Sequence, residues 1–163
     1  MRRQHLPSQR APVNLIIMSQ KDTASNLSQL QIDELRTHAF RVAANAYAPY
    51  SHFRVGAAVL LRNGSIVTGC NVENASYRLT TCAEQSAISS GIALHGPSIQ
   101  IRAVVIVNLN DTASQPCGGC RQTIQEFSSP DTEIFFPASN GSLTRLTIAE
   151  LLPHAFKLEE SER

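Results

Sequence analysis

Two short segments constrain this chain more than anything else in its 163 residues. They are Thr81-Cys82-Ala83-Glu84 and Pro116-Cys117-Gly118-Gly119-Cys120-Arg121. Each sits where a strand or loop passes into a helix, and its cysteines are expected in the first turn of that helix. Exposed N–H groups and the positive end of the helix dipole favour thiolate over thiol there. Between the two helices lies the most strand-like stretch of the chain, residues 99–107, with Ile101, Val104, Val105, Ile106 and Val107.

The flanking pattern extends this alternation. Ser28 and Gln31 form a capping-box pattern that Leu27 and Ile32 can staple. Leu35, Ala39, Val42, Ala43 and Ala46 then keep helical spacing until Ala48-Pro49-Tyr50-Ser51 stops it. Val55–Leu61 reads as a buried strand. Asn63-Gly64 is a two-residue hairpin signal, with residues 66–69 returning. Residues 71–80 are polar and irregular. A helix is predicted over 81–92, a second over 117–127, and a short strand over 133–136. Asn140-Gly141 turns into a strand at 143–146, and Thr147-Ile148-Ala149-Glu150 caps a last helix broken by Pro153. The predicted order is α-β-β-α-β-α-β-β-α. Strands alternating with helices imply an α/β fold with one mixed central sheet and helices on its faces.

The hydrophobic fraction of 42% supplies one core, and the length suits one domain. Residues 1–26 are rich in Arg, Gln, Ser and Pro and read as a disordered N-terminal extension. Residues 27–158 form the folded domain, and 159–163 a charged tail. Lys plus Arg (14) nearly cancels Asp plus Glu (13), so the charge gives no reason to expect nucleic acid or an anionic membrane as partner. No apolar run reaches membrane-spanning length, and no secretory signal is recognisable. A cytoplasmic protein is the expectation. Three arginines and no acid before Asp22 leave organelle targeting as the alternative.

Without a secretory signal, the four cysteines (Cys70, Cys82, Cys117, Cys120) point to metal or thiol chemistry rather than disulfides. Zinc takes deprotonated thiols, and three protein ligands leave a fourth position open, the mark of a catalytic site. Glu84, two residues after Cys82, can reach that position without coordinating. A ligand followed by Glu, then a later Pro-Cys-x-x-Cys, is the zinc-deaminase arrangement. Each part has a plainer meaning by itself. Glu84 completes a capping box with Thr81, Cys117 and Cys120 form a redox pair, and Cys82 is a buried core residue. The combination is much more specific than its parts.

Five blocks in order carry a resemblance. They are Tyr50-Ser51-His52-Phe53-Arg54-Val55-Gly56-Ala57-Ala58, Gly69-Cys70-Asn71-Val72-Glu73-Asn74-Ala75-Ser76-Tyr77, the two cysteine segments, and Glu150-Leu151-Leu152-Pro153 before Phe156. Over most of its length the chain resembles the small, homotetrameric, zinc-dependent cytidine deaminases. That resemblance implies a three-layer α/β/α sandwich around a five-stranded sheet. It implies hydrolytic deamination of cytidine and deoxycytidine in pyrimidine salvage, with about one Zn2+ per chain on Cys82, Cys117 and Cys120. Glu84 would be the catalytic acid and base. Asn71 and Glu73 would bond the ribose, Phe53 would pack against the nucleoside, and Ala83 N–H with Glu84 would read the pyrimidine edge. Ala75, Tyr77 and Phe156 would complete a neighbouring subunit's pocket.

Plainer alternatives stand beside these roles: Asn71 and Glu73 as solvated loop residues, Phe53 and Phe156 as core, Cys70 as a packed small residue. Three-cysteine members commonly carry Arg directly after the catalytic Glu, where this chain has Gln85. Arg121 would then be left to offset the thiolate charge beside the metal. Competing functions are a redox or structural zinc protein, a deaminase of nucleotides or polynucleotides, and a relative specialised for a modified cytosine nucleoside. Phosphate binding would call for clustered basic residues, of which only Arg78 lies near the 71–77 loop.

Overall fold

Ser28 caps the first helix with its hydroxyl while Gln31 reaches back to the Ser28 amide, so the capping box forms as the spacing predicts. Helix α1 (Gln29–Ala43) follows. It ends before Ala46 because Tyr47 is drawn out of the helix. Asn45 and Ala46 close tight turns onto Val42 and Ala43, and the Tyr47 amide donates to the carbonyl of Asn71 (3.1 Å). The computed structural model describes residues 26–158; the expectations for residues 1–25 and 159–163 lie outside that range. Asn26, assigned to the extension from its sequence, accepts a hydrogen bond from Arg145 (2.7 Å).

Among the described residues five strands form one sheet in the order β2-β1-β3-β4-β5. They are β1 (Val55–Leu61), β2 (Ile66–Cys70), β3 (Ile101–Asn108), β4 (Ser128–Pro137) and β5 (Leu143–Thr147). β1–β2, β1–β3 and β4–β5 pair antiparallel, and β3–β4 is parallel. That parallel pair requires a crossover, which α3 (Gly118–Glu126) supplies. The sheet is mixed, as expected, and α4 (Ile148–Leu151) follows behind its own capping box.

Side chains alternate between the two faces of the sheet. Ala58, Leu60, Ala103, Val105 and Val107 pack with Leu35, Ala39 and Ala43 of α1. Ala57, Val59, Val104, Ile106 and Ile134 pack on the other face. There they meet Ala83, Ala87 and Ile88 of α2 (Ala83–His95), Ile124 of α3, and Ile148 and Leu151 of α4. The result is the expected three-layer sandwich.

Two glycines set how closely helices approach the β1–β2 edge. A Cβ at Gly56 would lie 2.1 Å from the Ala39 carbonyl oxygen, and one at Gly69 would lie 2.2 Å from the Ala87 amide nitrogen. Only a residue without a side chain lets α1 and α2 press onto adjacent strands this tightly.

β4 is longer than the predicted 133–136. Its register against β3 jumps between Ile101↔Ser128 and Ala103↔Glu133, leaving a bulge that Thr132 ties down by donating to the Ile101 carbonyl (3.1 Å). α2 begins two residues later than expected, at Ala83. Thr81 exchanges backbone hydrogen bonds with Val72 (2.9 Å each way), so it belongs to an isolated bridge rather than to the helix.

Candidate active site

The N-termini of α2 and α3 meet on one face of the sheet. Cys82 is the N-cap of α2 and Cys117 the N-cap of α3, with Cys120 one turn into α3. Both caps have extended backbones. The Cys120 amide donates to Cys117 Sγ (3.4 Å). The three sulfurs lie within 4.8 Å of one another. Cys70, at the end of β2, is not in the cluster, and burial raises its thiol pKa.

The Cys120 thiol donates to Cys82 and lowers the Cys82 pKa to about 7, against the opposing effects of burial and of Glu84. The same contact, then burial and the Glu84 charge, raises Cys120. Three convergent sulfur donors, with one ligand position left over, suit a tetrahedral zinc ion better than an oxygen-seeking cation.

With Cys82 as cap, Glu84 falls at the second helical position rather than the third. A capping box with Thr81 is therefore not what holds it. The carboxyl is buried (4% exposed), and burial raises its pKa, partly offset by hydrogen bonds from its own amide and from Cys120. A buried acid beside three thiols is the arrangement of a proton carrier. Ala83 is buried at the first position of α2, where its N–H has no partner within the helix.

Asn71 and Glu73 are buried, so neither is a freely solvated loop residue. They organise the turn between α1 and β1. Asn71 accepts from the Val55 amide (2.8 Å) and donates to the Phe53 carbonyl (2.9 Å). Glu73 accepts from the Tyr50 and Ser51 amides (2.9 and 3.2 Å) and from the Ser51 hydroxyl. The hydroxyl contact first, and then those amides, hold the Glu73 carboxyl below its ordinary pKa. Phe53, half-buried, sits on this turn. The bridge from Val72 to Thr81 ties the Asn71–Glu73 segment to the residue preceding Cys82.

Ala75, Tyr77 and Phe156 are exposed. Tyr77 opens a short 3-10 turn (Tyr77–Leu79). The carbonyl of Phe156 accepts from Gln122 of α3 (2.8 Å) while its ring stays free. The guanidinium of Arg121 is committed to oxygen acceptors, namely the carbonyls of Pro116 (2.9 Å) and Leu151 (3.2 Å) and the side chain of Gln115 (3.2 Å). It thus ties the turn leading into Cys117 to the end of α4. Gln85 edges the metal side: a Cβ at Gly119 would lie 3.9 Å from both Gln85 Nε2 and Cys117 Sγ.

Sequence reading missed Ser51, the side-chain partner of Glu73, and the asparagines Asn108, at the end of β3, and Asn110, in the loop that follows. Ser after Tyr50 looks like ordinary turn chemistry. The two asparagines, spaced by one residue in an otherwise apolar-to-polar transition, were the only available signal.

Comparison with known proteins gives one answer. The family described as "Cytidine and deoxycytidylate deaminase zinc-binding region" matches residues 30–136. A cytidine deaminase of Mycobacterium tuberculosis is 42% identical over 130 residues, covering 79% of this chain and 92% of that protein. One from Halalkalibacterium halodurans is 39% identical over 122 residues, covering 75% and 91%. The crystal structure of a Burkholderia pseudomallei cytidine deaminase superposes with a TM-score of 0.70 at 37% identity, covering 80% of this chain and 100% of that one.

Proposed function

This chain belongs to the zinc-binding cytidine and deoxycytidylate deaminase family, and from that premise we propose that it converts cytidine and deoxycytidine to uridine and deoxyuridine, releasing ammonia. The observation that carries the reading is the convergence of Cys82, Cys117 and Cys120 beside buried Glu84. The three sulfurs hold one zinc ion per chain. When bound, the ion supplies a Lewis acid that acidifies a water molecule and makes it the nucleophile.

The remaining chemistry belongs to the protein. The C4–N4 bond breaks and a C4–O bond forms, so two protons must travel from water to the base. Glu84 takes the first and gives it to N3. It then carries the second to the departing amino group. A positioned carboxylate of this kind contributes about a hundred- to ten-thousand-fold. The Ala83 N–H, which has no partner within its helix, and the Glu84 carboxyl read the pyrimidine edge. Asn71 and Glu73 bond the ribose from the turn they organise, and Phe53 packs against the nucleoside. Gln85, at the edge of the Cys117 sulfur, and Arg121, through the turn before Cys117, tune the metal's surroundings.

The assembly we propose is a homotetramer in which Ala75, Tyr77 and Phe156 complete a neighbour's pocket. Its support is the apolar surface left open near the site: Tyr47, Val72, Tyr77, Leu79 and Phe156 are all exposed in the single chain. Among the described residues no helix is long and apolar enough to cross a membrane. We place the enzyme in the cytoplasm, where the thiols its metal needs stay reduced, with residues 27–158 as the catalytic domain.

The test follows absorbance as purified protein meets cytidine, deoxycytidine, cytosine, CMP and adenosine, with and without a chelator. Zinc-dependent loss of the cytidine and deoxycytidine signals is expected. Equal turnover of free cytosine would remove the ribose-reading role from Asn71 and Glu73. A preference for CMP would replace the nucleoside assignment with a nucleotide one.

A further inference from the structure

Phe53 is bracketed by a single side chain from a different part of the fold. Asn110, in the loop after β3, donates through Nδ2 to the carbonyl of His52 (3.1 Å) and accepts through Oδ1 from the amide of Arg54 (3.1 Å). The two contacts fall on the residues immediately before and after Phe53. Together they use the donor and the acceptor of one amide group, which fixes both spacing and direction.

Asn110 is itself held. Asn108, buried at the end of β3, accepts from the Asn110 amide (3.0 Å) and from the Thr112 amide (3.3 Å). Its Nδ2 donates to the Thr112 carbonyl (2.6 Å) and to Ser114 Oγ (3.0 Å). The loop that Asn108 shapes runs on to Pro116 and Cys117. One strand end therefore organises both the approach to the metal ligands and the clamp on the Phe53 turn.

The turn needs holding. His52 has φ 57°, in the left-handed region that side-chain-bearing residues seldom occupy. Such a conformation persists where its surroundings over-determine it. Here the His52 amide donates to the Ala48 carbonyl (3.1 Å), its carbonyl accepts from Asn110, and the next amide, that of Phe53, donates to Ser51 Oγ (3.0 Å).

We propose that Asn110 is a positioning residue that presents the Phe53 ring to the nucleoside by clamping the backbone on both sides of it. The proposal rests on the reading of Phe53 as a nucleoside contact. A ring that touches substrate equally before and during reaction contributes uniform binding, so its displacement acts on KM and spares kcat.

The experiment is steady-state kinetics on zinc-loaded protein with cytidine, with zinc content measured for every variant. Asn110→Ala is expected to raise KM roughly three- to ten-fold, leaving kcat within about two-fold of the parent. Asn110→Asp keeps the acceptor for the Arg54 amide but sets a carboxylate oxygen against the His52 carbonyl, and should raise KM at least as far as Asn110→Ala. Adding His52→Gly to Asn110→Ala should bring KM part of the way back, because glycine adopts positive φ without a clamp. Unchanged KM in Asn110→Ala, or a loss confined to kcat or thermal stability, overturns the proposal. Phe53→Ala, run in parallel, separates the two ideas. If it raises KM while Asn110→Ala does not, the clamp fails and the nucleoside contact stands. If Phe53→Ala leaves KM unchanged, the nucleoside contact fails and the clamp falls with it.

Discussion

Glu84 occupies a position where a carboxylate is costly unless used: buried, at the start of a helix, with its ionised form disfavoured by its surroundings. Glu84→Gln keeps the shape and removes the ability to carry protons. Turnover should fall at least about a hundred-fold with zinc retained, measured by kcat beside metal content. Near-parental turnover would end the catalytic assignment. Among the cysteines, Cys117→Ser and Cys120→Ser should lose metal and activity together, whereas Cys70→Ser should keep both, since Cys70 lies outside the cluster. Loss of zinc from folded Cys70→Ser would contradict this ligand set.

Glu73 makes a pH-dependent prediction at the same scale. Its folded pKa is lowered, chiefly by the Ser51 hydroxyl. A lowered folded value means that its contribution is complete above the ordinary glutamate pKa of about 4.3 and is lost as pH falls through the folded value. Exchange protection of the Tyr50 and Ser51 amides should therefore hold at neutral pH and fade in acid below that ordinary value. In Glu73→Gln the acid-dependent loss should disappear. Unaltered pH dependence in that variant would mean that another group controls the turn.

At the scale of elements, Gly56 and Gly69 make a matched pair with different consequences. Gly69→Ala drives a methyl group into the backbone of α2, the helix that carries Cys82 and Glu84. A stability loss of about 1–3 kcal/mol is expected from the overpacking, together with weaker zinc binding. Gly56→Ala strikes α1 on the opposite face and should cost similar stability without weakening zinc binding. Equal metal loss in both would show that the seating of α2 does not set the site.

The elements that a short sequence window specifies are the ones that sequence reading placed well. Ser28 with Gln31 and Thr147 with Glu150 cap their helices as the spacing requires, and Asn63-Gly64 turns β1 into β2. What a window lacks is the partner. Residues 128–131, Ser-Ser-Pro-Asp, lack strand propensity of their own, and the segment is held in β4 by the pairing of Ser128 with Ile101 and by the Thr132 hydroxyl on the Ile101 carbonyl. Thr81 left α2 because Val72 bonds it from both sides. At the site, the metal cluster was legible because its chemistry lies in two local motifs. The clamp roles of Asn71 and Glu73 were not, because their partners, Phe53, Val55, Tyr50 and Ser51, lie 16 to 23 residues away.

For the whole molecule, the open apolar surface around Tyr77 and Phe156 predicts that activity depends on association. Sedimentation should find the active species to be a tetramer, and Tyr77→Ala should weaken it while lowering activity per chain. A fully active monomer would contradict the shared pocket. The single parallel pair has a separate consequence. Cys82 precedes β3 and Cys117 follows it, so the two helix starts face each other only while β3 is paired and α3 is docked. β3 is the central strand, the kind of element that opens last under hydrogen exchange, whereas α3 is a nine-residue helix laid on one face of the sheet. Escape of the ion would therefore need only the undocking of α3, with the sheet still paired. Metal release then reports a local opening that precedes global unfolding, readable with a colorimetric chelator at any temperature where the chain survives.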